Sequence, residues 1–189
     1  MAEKKYGMVI DTSVCVGCQT CKVACKISNE IPGSALWNHL ESLDGEELYV
    51  ATGEYPAVKV AYRPLLCNHC DNPACVAQCP TGAMTKDEVT GIVTSDPEIC
   101  IGCQTCVAAC PYAAPSLNEI DSVITKCNFC IDRVEEGAQP YCVEACPANA
   151  RIFGDLNDES SEVAALVAAG AEQYLPEAGT EPNIYYVVA

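Results

Sequence analysis

Apolar positions in this 189-residue chain fall in short runs, each cut off by Gly, Pro or clustered polar residues. No stretch approaches the ~18–20 apolar residues that cross a bilayer as a helix, so no transmembrane span is expected. The first residues, Met1 to Asp11, hold no sustained apolar stretch either, and no export signal is read there. Residues 6–11 read as a strand. Between residues 81 and 96, Thr90-Gly91 is a turn signal flanked by short β-prone runs, which predicts a hairpin. Ile31-Pro32-Gly33-Ser34 and Asp44-Gly45 are further turn signals. The clearest helix is Ala-rich, from Ser160 to Gln173, with Asp158, Glu159 and Glu162 placing negative charge at its start.

Composition changes the weight of that pattern. Half the residues count as apolar, but 16 of them are cysteines, and aromatics make up only 6%. The hydrophobic core is therefore thin. Metal–thiolate bonds are the candidate for what else holds the fold, because binding energy at a metal site is also folding energy. The charge is strongly acidic, with 26 acidic residues against 10 basic and a formal net charge of −16. That balance argues against nucleic acid, whose phosphates need a Lys/Arg surplus. It suits either a solvated surface or a docking face for a basic partner.

The cysteines form four groups of four. Three are nearly regular: Cys15, Cys18, Cys21 and Cys25; Cys67, Cys70, Cys75 and Cys79; Cys100, Cys103, Cys106 and Cys110. The fourth is stretched: Cys127, Cys130, Cys142 and Cys146. A Pro follows the last Cys of three groups, as Pro80, Pro111 and Pro147. Each Cys-x3-Cys-Pro is expected on a single helical turn that Pro ends, since the residue before Pro resists helix. The run C-x2-C-x2-C-x3-C-P is the bacterial ferredoxin signature for [4Fe–4S] clusters. Disulfide scaffolds do not need such repeated spacing, and structural zinc sites favour two C-x2-C pairs set well apart. Four groups therefore imply four [4Fe–4S] clusters, and four clusters in a small chain imply an electron wire.

An internal repeat runs through the groups. The stretch from Asp11 to Cys21 matches that from Asp96 to Cys106 almost position for position, with Cys-x-Gly-Cys-Gln-Thr-Cys in both. Cys67-Asn-His-Cys70 likewise resembles Cys127-Asn-Phe-Cys130. Two related halves are the simplest account. In two-cluster ferredoxins the first three cysteines of a run hold one cluster and the fourth holds the other. The groups must therefore pair and exchange their last cysteines. The hairpin segment joins groups two and three much as in a bacterial ferredoxin, leaving groups one and four to pair. Spacing alone also permits one with two and three with four.

The nested groups, the stretched fourth group and the Cys-Asn-x-Cys of groups two and four resemble the four-cluster iron–sulfur subunits of the dimethyl sulfoxide reductase superfamily, of polysulfide, thiosulfate, formate and dimethyl sulfoxide type. The match covers roughly residues 4–153. It implies an α+β fold of two nested bacterial-ferredoxin-like units, with short strands, hairpins and single-turn helices around four cubanes. It also implies the pairing of one with four and two with three. The ligand sets become Cys15, Cys18, Cys21 and Cys146; Cys127, Cys130, Cys142 and Cys25; Cys67, Cys70, Cys75 and Cys110; and Cys100, Cys103, Cys106 and Cys79. Relatives of nitrate reductase type replace one group-three cysteine by Trp, whereas here all four are present.

The expected organisation follows. A double ferredoxin-like domain spans residues 1–153, with groups one and four in about 1–30 and 120–153, groups two and three in about 62–115, and an insertion at 31–61. Residues 154–189 form a C-terminal helix and tail that docks a partner. The resemblance further implies a large catalytic subunit holding a molybdenum or tungsten bis-pterin cofactor, with a membrane-anchor subunit or soluble redox donor as the other partner. The chain itself is expected to be non-catalytic: no Ser–His–Asp set, Gly-rich phosphate loop or H-E-x-x-H occurs. Location is expected to be cytoplasmic, or membrane-associated or co-exported through partner subunits. Competing readings are a hydrogenase relay subunit, a free polyferredoxin, or a zinc-stabilised interaction module. His69, between Cys67 and Cys70, is read as lying outside the ligand set. His39, near Trp37, is read as a packing or partner contact. Lys126 is either a cation tuning a nearby cluster or an exposed lysine.

Overall fold

The computed structural model describes residues 4–43 and 47–188, so the Asp44-Gly45 turn signal lies outside the described residues. The elements are short. In chain order they are β1 (Tyr6–Asp11), α1 (Thr20–Ser28), β2 (Asn38–Ser42), β3 (Tyr62–Leu66), α2 (Ala74–Ala77), β4 (Met84–Lys86), β5 (Val93–Ser95), α3 (Thr105–Ala109), β6 (Ser116–Asn118), β7 (Val123–Thr125), α4 (Ile131–Glu135), α5 (Tyr141–Glu144), β8 (Arg151–Asp155), α6 (Glu162–Ala168), β9 (Glu172–Gln173) and β10 (Ile184–Val187). Mixed helix and strand are as expected.

The strand read at residues 6–11 is β1, and it lies inside a four-stranded sheet of order β8-β1-β10-β9. It pairs antiparallel with β8, Tyr6 opposite Asp155 through Ile10 opposite Arg151. On its other edge it pairs parallel with β10, Met8 opposite Ile184. Met8, Val9 and Ile10 are all 0% exposed, as expected for a strand covered on both faces. The hairpin read around Thr90-Gly91 is β4–β5, Met84 opposite Ser95. A second hairpin, β6–β7, lies between groups three and four. Its turn is built by Asn118, whose Oδ1 accepts from the Ile120 N–H at 3.0 Å; such side-chain caps substitute for a glycine turn signal.

The Pro rule governs the helical turns. Pro80, Pro111 and Pro147 each follow a short helix of four or five residues. Group one has Lys26 in place of Pro, and α1 runs on for nine residues. The core is shared between aliphatic side chains and cysteines: Met8, Ile10, Leu65, Leu66, Phe129, Ile184 and Tyr186 pack with Cys67, Cys127 and Cys142. A smaller cluster joins Met84, Val93 and Ile124 to Cys75 and Cys106.

One expectation needs correction. The helix read from Ser160 to Gln173 covers only Glu162–Ala168. Gly170, at φ 108°, turns the chain, and Glu172–Gln173 is taken by the edge of the sheet as β9. Beyond it the chain returns as β10, which lies beside β1 in the central sheet. Sheet pairing between distant segments of this kind leaves no composition signal.

Candidate metal centres

All sixteen cysteines are free thiols. The two Cys-x-Gly-Cys-Gln-Thr-Cys runs fold alike. Gly17 and Gly102 have φ of 66° and 64°, Gln19 and Gln104 have 59° and 61°, and Thr20 and Thr105 open α1 and α3. Two left-handed residues in three curl the loop tightly, and Gly supplies one of them without a Cβ penalty. After each Cys-Pro, the third residue beyond the Cys is again left-handed: Gly82 at 72°, Ala113 at 50° and Asn149 at 49°. These turns point backbone donors back at sulfur, Met84 N–H to Cys79 Sγ at 3.5 Å and Ala150 N–H to Cys146 Sγ at 3.3 Å. Ile124 N–H reaches Cys100 Sγ at 3.3 Å, and Phe129 N–H reaches Cys127 Sγ at 3.4 Å.

Tertiary structure regroups the cysteines. Cys15, Cys18 and Cys21 line one cavity together with Cys146 and Arg151. The charge on Cys25, the last of group one, is opposed most by Cys142 and Cys130, with Cys21 behind them. Cys127 feels the charges of Cys25, Cys142 and Cys67. Cys70 and Cys75 both feel Cys67 and Cys110. Cys103 and Cys106 both feel Cys79.

Burial, then repulsion between neighbouring sulfurs, pushes the thiols of Cys25, Cys70 and Cys75 up to about 12. Burial drives Cys127 well above the ordinary range. At the surface the direction reverses: the Thr20 hydroxyl and N–H lower Cys18, and those of Thr105 lower Cys103. Buried thiols crowded like this do not ionise unless a cation joins them, and a bound metal ion deprotonates its thiol ligands. Among the described residues, no three Cys, His, Asp or Glu side chains converge as ligands of a single ion do. Cysteines that each bind a different iron of one cluster need not converge in that way. Soft sulfur donors in fours, no disulfide and N–H groups aimed at sulfur make a donor set that fits iron–sulfur clusters.

The other residues fall out as follows. His69 is fully buried; its Nδ1 accepts from the Val93 N–H at 3.0 Å and its ring stacks on Phe129 at 3.8 Å between centroids. Burial, reinforced by Lys126 and Lys86, holds its pKa well below the usual histidine range. Lys126 is 3% exposed, which removes the surface-lysine reading; its ammonium donates to the carbonyls of Val93 and Cys127. His39 is partly buried on β2, and the nearby Trp37 Nε1 donates to Thr125 Oγ1 at 3.0 Å. Arg151 was not singled out from sequence. It is buried, and its Nη2 lies 3.4 Å from Cys21 Sγ and 2.8 Å from Asn38 Oδ1. The available signal was the repeat: Ala150-Arg151 after Cys146 corresponds to Ala83-Met84 after Cys79.

No helix among the described residues is long and apolar enough to cross a membrane. A family model described as a 4Fe-4S dicluster domain matches residues 58–156, and one described as a 4Fe-4S binding domain matches residues 12–29. A protein named as the iron–sulfur chain of a dimethyl sulfoxide reductase in Halobacterium salinarum is 40% identical over 96% of this chain and 78% of its own. The arsenate respiratory reductase iron–sulfur subunit ArrB of Shewanella sp. is 36% identical over 97% of this chain and 96% of its own. A chain of the tetrathionate reductase of Salmonella typhimurium is 39% identical over 97% of this chain and 72% of its own. The cysteine repeat, the sulfur-directed turns and these likenesses together mean that the chain belongs to the electron-transferring 4Fe–4S iron–sulfur subunits of the dimethyl sulfoxide reductase superfamily.

Proposed function

We propose that the chain holds four [4Fe–4S] clusters in a line and relays electrons between a molybdopterin catalytic subunit and a second redox partner, without itself catalysing a reaction. The observation that carries this reading is the cavity where three cysteines of group one meet Cys146 of group four. That meeting supports an exchange of last cysteines in which groups one and four form one ferredoxin-like unit and groups two and three form another nested within it. The ligand sets are then Cys15, Cys18, Cys21 and Cys146; Cys25, Cys127, Cys130 and Cys142; Cys67, Cys70, Cys75 and Cys110; and Cys79, Cys100, Cys103 and Cys106.

The order of the line rests on which sulfurs influence one another's charge across sets. Cys21 acts on Cys25 and Cys142, Cys67 on Cys127, and Cys106 on Cys75. The two outer sets each have an exposed cysteine, Cys18 and Cys103. Beside them stand exposed apolar pairs, Val14 with Val16 and Ile99 with Ile101, and clustered exposed apolar surface marks interaction sites. The segment at 47–61, with Tyr55 at 93% exposure, offers a further docking face. The named relatives are subunits of reductases for arsenate, tetrathionate and dimethyl sulfoxide. One relay architecture serving three substrates puts substrate choice in the catalytic partner.

The Cys25→Ser variant tests the pairing. It is expected to perturb the cluster held by Cys127, Cys130 and Cys142, read by electron paramagnetic resonance; damage confined to the Cys15 cluster would sink the assignment. The anaerobically purified native complex is expected to hold about sixteen irons per chain, as four cubanes require, and molybdenum or tungsten on a larger subunit. Zinc without iron would overturn the reading.

A further inference from the structure

Arg151 is a buried cation that forms no ion pair with a carboxylate among the described residues. Its side chain touches Cys21 Sγ at 3.4 Å, Asn38 Oδ1 at 2.8 Å and Met8 Sδ at 3.8 Å. The residue is 3% exposed, and no ion pair among the described residues includes it. Burying an isolated guanidinium is costly, and the cost is met only where negative charge accompanies it. Here that charge is sulfur: Arg151 lines the same cavity as Cys15, Cys18, Cys21 and Cys146, and Cys142 of the neighbouring set is close as well. The equivalent position in the other half of the repeat is Met84, an uncharged residue that is also buried. The two halves therefore differ in charge at one matched position.

We propose that Arg151 is a potential-setting residue, whose guanidinium raises the reduction potential of the cluster held by Cys15, Cys18, Cys21 and Cys146, and that Asn38 holds it in place. A cubane held by these cysteines would gain one negative charge on taking an electron from the redox partner. A fixed positive charge in a buried, weakly screened site stabilises the reduced form over the oxidised form. Reduction is thereby favoured at this end of the line. Asn38 Oδ1 fixes the planar guanidinium fork without neutralising it, which a carboxylate in the same place would do.

The inference rests on the assignment of those four cysteines to one cluster, so the test separates the two. The Cys18→Ser variant marks that cluster by its changed resonance signal, and iron content reports on the assignment itself. In a mediated redox titration of the purified complex, followed by electron paramagnetic resonance, Arg151→Gln is expected to lower the marked cluster's potential. The expected size is at least a tenfold change in its oxidised-to-reduced ratio, about 59 mV for one electron. The Cys25, Cys127, Cys130 and Cys142 cluster falls with it, because Cys142 also borders Arg151. The two clusters of groups two and three stay where they are. Arg151→Lys keeps the charge and is expected to keep most of the potential. Asn38→Asp leaves the arginine in place but neutralises it, and is expected to lower the potential even where Arg151→Gln fails to fold. An unchanged potential in the folded variants, or an equal shift of all four clusters, overturns the proposal.

Discussion

At the scale of single residues, the sites depend on backbone positions as much as on sulfur. Gly17 sits in the left-handed region, and a Cβ there would lie 2.6 Å from the Tyr62 ring. Gly17→Ala is expected to lower the stability of the loaded protein by about 1–3 kcal/mol, from left-handed strain plus overpacking, and thermal unfolding measures it. Asp71 gathers three distant segments, bonded to Lys5 before β1, Lys86 of β4 and Asn183 before β10. Burial opposes its charge, but the Lys5, Lys86 and Asn183 bonds outweigh burial and lower its pKa from the usual 3.8 to about 2. A depressed folded pKa stabilises above the unfolded value and stops doing so as pH falls through the folded one. Asp71→Asn is therefore expected to lower stability by a constant amount above pH 4, with the gap to the parent closing between pH 4 and pH 2. A gap that stays open through that range in denaturant titrations counts against the ion cluster.

At the scale of elements, one residue after each cysteine group sets helix length. Lys26 lets α1 continue to Ser28, where Pro111 stops α3 at Ala109. That contrast was legible in the sequence because Pro acts locally. The end of α6 was not, because its last expected residues are claimed by strand β9 in a pairing with Tyr185 and Tyr186. The start of α6 is local again. Ser161 Oγ accepts from the Ala164 N–H at 3.1 Å and donates to the Asp155 carbonyl at 2.6 Å. Ser161→Ala is expected to cost about 1 kcal/mol, seen as a lower melting temperature with cluster signals intact. The β6–β7 hairpin escaped notice for lack of Gly or Pro; its turn uses Asn118, Asp121 and Ser122, the last at φ 56°.

At the scale of the whole molecule, the clusters and the core are one object. Cysteines from all four groups lie among the buried residues. Stripping iron with a chelator after oxidation is expected to abolish cooperative unfolding and most of the circular dichroism signal, since the metal's binding energy is folding energy. An apo chain that keeps a sharp melt and native dichroism would show that the aliphatic core suffices alone.

What the sequence determined by itself is the chemistry: sixteen soft thiol donors, their spacing, the repeat, the strand at β1, the β4–β5 hairpin and the single helical turns. Each of these is local, decided by a residue and its near neighbours. Only the tertiary structure brought Cys146 to the cavity of Cys15, Cys18 and Cys21, set β10 beside β1 and pressed Arg151 against Cys21. Those are contacts across more than a hundred residues. They leave no periodicity or composition signal, because their stability comes from burial and charge shared between segments that meet only in the fold.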